Sequence, residues 1–598
     1  MDGIPANIVD NNWHPDTQAP SSCTTTRKTY RNGSIWKTSS CRELSSYLRQ
    51  ECEILLSEIT AFQSHFSALS KPNLVELRQF KNSLLSESKT LQKLVDKVDQ
   101  AIAEDKDLAR RKAAPHDDES EDEIGPGPAE KKLLHSLRSS NLPFFAAVWR
   151  VAKTSTTGLV AFNKRFYYGG SGTANQPRGE IEMDFQGLDV TDGPDQLEYE
   201  CGSSRHTTPR KRSVFVDIVA DNGEEWVKVS TVTPSRLLFE LAEQGWEVDW
   251  SSDSEGQDED EDEGGGSTPE TKTADYESED QESAIELIRL AYEMKKAQAA
   301  VRVRYKHPRI RFVLPKIEEG QISEVDRIVR KIRRIGIAVQ CGDIGSLPEP
   351  NSNDSEIEAY AVAPSLQSTF TTLLPDPFPD ITPTLNVDCT LLLALVSDLS
   401  HVRNLPCSPA YHAAINRQIE VEAERPLMLT SLWPAIGDRE LVCTQEAAKR
   451  MHEIVRTIGT DQEKERAKLL MGETDQPLDR ATIISRFQEL SGYTVPLDWK
   501  LPVRIVGAQQ EIEQAWENGR LPNISRKIAQ DLHSDINRSV FLYGWASGLM
   551  TISSNRTVVR QIEALVEEYR ADDDLVCGPK VWLCDTARSL IGKDMNRG

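Results

Sequence analysis

The stretch Thr384–Val402, TLNVDCTLLLALVSDLSHV, sets one carboxylate, Asp388, between an apolar-leaning run, Leu385–Val387, and a segment apolar on nearly every side, Leu391–Val396. An acid at a strand-to-helix junction has two uses. Its oxygen can cap the helix, or it can hold a divalent ion at the carboxyl edge of a parallel sheet. Other residue types capable of chemistry are less suggestive. The glycines of GGSGTANQPRG lack a following Gly-Lys-Ser/Thr, so that stretch reads as a turn and not a phosphate loop. The 10 cysteines contain no CxxC pair, and Cys389, Cys443 and Cys584 lie in apolar segments, which points to reduced thiols inside cores and away from a zinc ribbon. His401 and His452 read as surface or packing residues.

The elements that must position these residues follow from periodicity. Leu77, Leu84, Leu91 and Val98 recur every seven, which with Arg42–Phe66 predicts a helical hairpin and not a long coiled coil. SSNLPFFAAVWRVAK opens a helix at Pro143. VFVDIVADNGEEWVKVSTV predicts a β-hairpin around Asp221-Asn222-Gly223. Its Asp217 and Lys228 invite comparison with endonuclease hairpins, but Trp226 stands where a second acid is needed, so polar residues on a wet sheet face are the expectation. SAIELIRLAYEMKKAQAAV reads as a helix, RIRFVLPKI as a strand, SEVDRIVRKIRRIG as a helix capped by Ser323, and IAVQCG as a strand. Basic residues run from Lys295 to Arg334. They suit either phosphates or solvated helix faces, and the second is favoured. Beyond a Pro- and Ser-rich stretch, strands are predicted at Leu385–Val387, Glu440–Thr444, Val503–Val506, Gly548–Ile552 and Lys580–Cys584. Long helices separate them, which implies a mostly parallel sheet.

A chain of 598 residues implies about two or three domains. The expected organisation is a disordered leader over 1–40, an α/β module over 41–345 with acidic disordered inserts near 113–130 and 251–282, a linker over 346–379, and a second domain over 380–598. The inserts explain most of the net charge of −24: Asp117–Glu123 carries −6 and Ser251–Glu282 carries −13. The folded remainder is close to balanced, so the acidity does not argue against nucleic acid. No apolar run approaches the roughly 18 residues of a membrane span, and the amino terminus is not a signal peptide. A protein of the cytosol, the nucleus or both, without a membrane, is expected. The acidic inserts and the hairpin are candidate contacts for protein partners.

Several separated stretches, in order SSNLPFFAAVWRVAK, VDIVADNGEEWVKV, LNVDCTLLLALVSDLSH, QEKERAKLL and MTISSNRTVVRQIEAL, resemble the eukaryotic DUF1308 family, a family of unknown function. Its carboxy-terminal part is similar to the PIN-like fold, a parallel α/β domain whose active members hydrolyse RNA with three or four carboxylates and Mg2+ or Mn2+. The resemblance implies Asp388 as the first acid and Glu446 as the second, both as metal ligands. Asp585 is a candidate third acid, and Arg556 and Arg588 are candidate phosphate contacts. At the later acid positions stand Ser553 and Asn555. The implied function is therefore a degenerate module binding RNA or protein, with a metal-dependent ribonuclease and a non-enzymatic scaffold as the alternatives. From the residues alone, Asp388 also suits a helix cap, and Glu446 a first helical turn where the backbone dipole favours an acid.

Overall fold

The computed structural model describes residues 40–68, 74–112, 128–169, 212–244, 285–342 and 366–591, except 410, 475 and 572. The leader, the acidic inserts other than residues 128–130, nearly all of the Gly-rich turn and residues 346–365 of the linker lie outside them. The described residues divide into two compact units, one made of those up to residue 72 and over 76–151, the other of those over 73–75 and from 152 on.

Within the first unit, α1 (Cys41–Ala68) and α2 (Arg78–Lys112) pair as the predicted hairpin, followed by α3 (Pro128–Arg138) and the start of α4 (Leu142–Ser155). The seven-residue row of α2 is used inside this hairpin: Leu84, Leu91 and Val98 are all buried. Phe62 meets Phe66 and Trp149, and the Trp149 indole donates to Glu58 Oε2 at 2.7 Å. A buried tryptophan thus keeps its polar end satisfied.

The second unit holds two five-stranded sheets. The first has the order β1 (Ala161–Tyr168), β2 (Arg212–Ala220), β3 (Glu225–Val229), β4 (Arg309–Leu314), β5 (Ala338–Cys341). β1–β2–β3 is antiparallel and β3–β4–β5 parallel. The hairpin at Asp221-Asn222-Gly223 is present, with all three residues at positive φ. That backbone suits Asp, Asn and Gly and turns the strands tightly. Phe166, Val214, Val216 and Trp226 of one face meet the apolar sides of α5 (Pro234–Glu243), α6 (Glu286–Ala299) and α7 (Ser323–Arg334). Ser323 does not cap α7. Ile322 occupies the cap position without a side-chain bond, and Glu324 and Asp326 supply the favourable charge of the first turn.

Several residues of the basic stretch pair with acids, while Arg327, Arg330 and Arg334 are exposed on the face of α7, as expected of a solvated helix. Arg309 pairs with Asp221 and Arg311 with Glu225, Arg304 with Glu224, and Arg333 with Glu319. The turn Val303–Lys306 goes further. Arg304 and Tyr305 both have positive φ, and Tyr305 reaches the core of the second sheet. Arg570 donates to the Tyr305 carbonyl at 2.8 Å, while Arg302 pairs with Glu567 and Asp574.

The second sheet is wholly parallel, in the order β10 (Val581–Leu583), β9 (Met550–Ser553), β6 (Thr384–Val387), β7 (Glu440–Thr444), β8 (Arg504–Val506). Every strand expected there is found. Apolar side chains of both faces are buried under helices, as parallel sheets require.

Candidate functional site

β6 is central, and the chain runs outward from it to β7 and β8 before returning to the other flank as β9 and β10. The strand order therefore reverses between β6 and β9. In open parallel sheets, ligands enter the crevice at the carboxyl ends of the strands at such a reversal. Asp388, the residue after β6, and Ser553, the last residue of β9, meet there.

Asp388 stands at the N-cap of α8 (Cys389–Val396) with extended backbone, yet its side chain makes no capping bond to the helix backbone. Instead Oδ2 accepts from Ser553 Oγ at 2.6 Å and from Thr390 Oγ1 at 2.8 Å. Backbone bonds continue the junction. Asp388 N–H donates to the Ile552 carbonyl at 3.0 Å, Ser554 N–H to Thr390 Oγ1 at 3.2 Å and Asn555 N–H to Ser553 Oγ at 3.0 Å. Asn555 caps the following helix, α11 (Arg556–Arg570), its Oδ1 accepting from Val558 N–H. Both crevice walls are thus sewn together by the residues at the expected acid positions. Asp388 is 2% exposed. Burial pushes its carboxyl above the usual carboxylate range, against the hydroxyls of Ser553 and Thr390, which favour the ionised form. Beside it, burial lifts the Cys389 thiol to about 12 and the Cys443 thiol likewise to about 12, so neither is a thiolate at neutral pH.

The other predicted residues separate. Glu446 lies in the first turn of α9 (Gln445–Ile458), after the neighbouring strand β7, and its Oε2 is buried without a hydrogen-bond partner. No hydrogen bond or ion pair joins it to Asp388 among the described residues. Asp585 follows β10, two strands from β6 and hence about 10 Å away at ordinary strand spacing. It is exposed and lies 3.6 Å from Arg556, so that arginine faces an acid. Arg588 is not a surface contact. Its guanidinium is buried against Glu422 at 2.6 Å, and Glu422 also accepts from Leu427 N–H. His452 lies 3.2 Å from Glu473. On the first sheet, Asp217 is buried and accepts from Lys228 Nζ at 3.0 Å and Val229 N–H at 2.8 Å, a structural pair.

A divalent ion of the magnesium class takes about six oxygen ligands and enough negative charge to displace its own water. In the crevice, Asp388 faces two hydroxyls, and Ser553 adds only a neutral oxygen. Among the described residues no group of three or more His, Cys, Asp or Glu side chains is placed to hold a metal. As arranged, this donor set falls short of the ion that the nuclease resemblance implies.

A second polar cluster escaped the sequence reading. Arg466 of α10 (Asp461–Met471) is fully buried and donates to Asp398 Oδ1 at 2.7 Å and to the carbonyls of Val396 and Leu490. Glu463, buried nearby, accepts from the backbone N–H groups of Asp398, Thr460 and Ile591. His401 is buried between Ser491 Oγ and the Leu395 carbonyl. Burial lowers its pKa to about 3, so it is neutral. The signal available was Thr460-x-x-Glu463, a capping box, which is formed.

Residues 385–492 match a family model described as a protein of unknown function, DUF1308. That segment contains Asp388 and Glu446, and also Asp398, Glu463 and Arg466. No curated protein and no solved structure matches the chain.

Proposed function

We propose that this chain, with its DUF1308 segment at residues 385–492, is a PIN-like protein that binds RNA without efficient cleavage. The observation that carries the reading is the lock at the β6–β9 reversal. Phosphodiester hydrolysis with a divalent ion needs ionised carboxylates that face the ion and an activated water. Here the first acid is buried, drawn toward its protonated form and occupied by Ser553 and Thr390. The carboxylate closes the crevice where it would otherwise line it.

The test is incubation of the full chain with end-labelled single-stranded RNA and Mn2+, beside Asp388→Asn. Binding without shortening of the RNA, unchanged in the variant, is expected. Cutting by the natural chain that Asp388→Asn abolishes would overturn the reading and favour a ribonuclease. One observation speaks for that alternative: the unpartnered Oε2 of Glu446, one strand from Asp388.

A further inference from the structure

We infer that the exposed outer end of the β1–β2 pair is the surface that takes RNA, by stacking unpaired bases on Tyr167 and Phe215. This rests on the RNA-binding reading above and places it away from the β6–β9 crevice. Arg165 lies directly opposite Phe215, and Tyr167 opposite Ser213. Residues opposed across an antiparallel pair share a face, as do residues two apart on one strand. Tyr167, Arg165 and Phe215 therefore lie together on one side, while Phe166, Val214 and Val216 turn into the core on the other.

Tyr167 is 58% exposed and Phe215 38% exposed. Among the described residues the only other aromatic ring left so open is Phe239. Two open rings in one register are unusual in a unit that buries Trp226, Phe312, Phe487 and Trp499 completely. The Arg165 guanidinium sits 4.2 Å from the Phe215 ring centroid, one planar cation stacked on one ring. Diagonal neighbours of this kind stand about 7–8 Å apart, so two successive splayed bases can each find a plane, a ring or the arginine.

The charge agrees. Asp217 is the one acid of β1 and β2, and it is buried on Lys228. The positive charge of Arg165 is thus not offset by an acid of the pair, in a chain whose net charge is −24. Among the described residues β1 is also the edge of its sheet. Aromatic planes beside an arginine match the requirements of single-stranded nucleic acid.

The experiment is fluorescence anisotropy of the full chain with a labelled single-stranded RNA 12-mer at two salt concentrations. It compares Tyr167→Ala, Phe215→Ala, the double variant, Arg165→Ala and Phe239→Ala as a control ring outside the face. Because the substituted rings are exposed, the variants fold, which circular dichroism checks. Tyr167→Ala and Phe215→Ala should each weaken binding about tenfold, the size of one lost stacking contact. Tyr167→Phe should restore it, and Phe239→Ala should have no effect. If the natural chain binds and the double variant binds equally well, this surface is wrong while RNA binding stands. If the natural chain binds no RNA at either salt concentration, both readings fall.

Discussion

Ser553→Ala tests the crevice lock most directly. Ser553 Oγ donates to Asp388 Oδ2 at 2.6 Å and accepts from Asn555 N–H at 3.0 Å, and alanine removes both bonds. A hydrogen bond to a charged partner contributes about 1.5–3 kcal/mol, and a partly buried amide left unsatisfied costs about 1 kcal/mol more. The expected loss is about 2.5–4 kcal/mol where the carboxylate is ionised, with no cavity to speak of. Urea denaturation followed by tryptophan fluorescence reads it. Acid adds a second readout. Asp388's carboxyl is raised above its unfolded value, so this group's contribution to stability is fully present below the unfolded pKa and is lost as pH rises through the folded pKa. The Ser553 hydroxyl favours the ionised form, so its removal lifts the folded pKa further. The variant's deficit is therefore largest above that pKa and shrinks toward about 2 kcal/mol, a neutral bond plus the unsatisfied amide, as pH falls through it. A variant within about 0.5 kcal/mol of the natural chain at pH 7, following it in parallel into acid, would mean that the hydroxyl does not hold the carboxylate. The non-cleaving reading would then lose the observation on which it stands.

Three further outcomes are expected. Arg466→Ala should destabilise the chain by about 3–5 kcal/mol in the same urea titration, because Asp398 would be left buried without its partner. Gly544→Ala should cost about 1–3 kcal/mol, since a Cβ there meets Thr551 Oγ1, and thermal melting should show it. For His401, the folded pKa near 3 lies below the unfolded 6.5, so its contribution is present above pH 6.5 and declines as pH falls toward 3. At about 1.4 kcal/mol per unit the decline reaches roughly 5 kcal/mol at most. His401→Gln should flatten that part of the stability–pH curve relative to the natural chain.

Local signals explain what was legible. The strands of both sheets are short apolar runs bounded by turn residues, and Asp221-Asn222-Gly223 names its own hairpin. The hairpin of α1 and α2 follows from a seven-residue row. What failed needs partners far away in the chain. Ser553 stands 165 residues from Asp388, and Glu422 stands 166 residues from Arg588, so nothing near Arg588 indicates that it is buried. The ion pairs within the basic run from Lys295 to Arg334 were hidden for the same reason: the acids that meet Arg302, Arg304, Arg309 and Arg311 lie on β3, on the turn before it and on α11. Tyr305 was unreadable as a core residue because its insertion depends on two successive left-handed residues, neither of them glycine.

The sequence posed Asp388 as either a helix cap or a metal ligand, and the geometry gives a third role. A capping acid would turn to its own helix alone and stay near the surface; this one is buried, accepts from Thr390 of its own helix and also crosses to Ser553 of the next strand. A ligand would turn its oxygens outward among other acids, whereas this one faces hydroxyls inside the crevice. Holding a buried carboxylate is costly unless it is hydrogen-bonded, so the arrangement is stable only while Ser553 and Thr390 remain in place. An acid at position 553 would set two carboxylates at hydrogen-bond distance, and like charges that close cannot both ionise without a cation between them. The serine therefore decides what the first acid does. With Ser553 the reversal point closes on itself, and Ser553→Asp in the absence of metal should unfold more readily than the natural chain and be restored by Mn2+. Equal stability of that variant with and without Mn2+ would show that residue 553 does not govern the crevice.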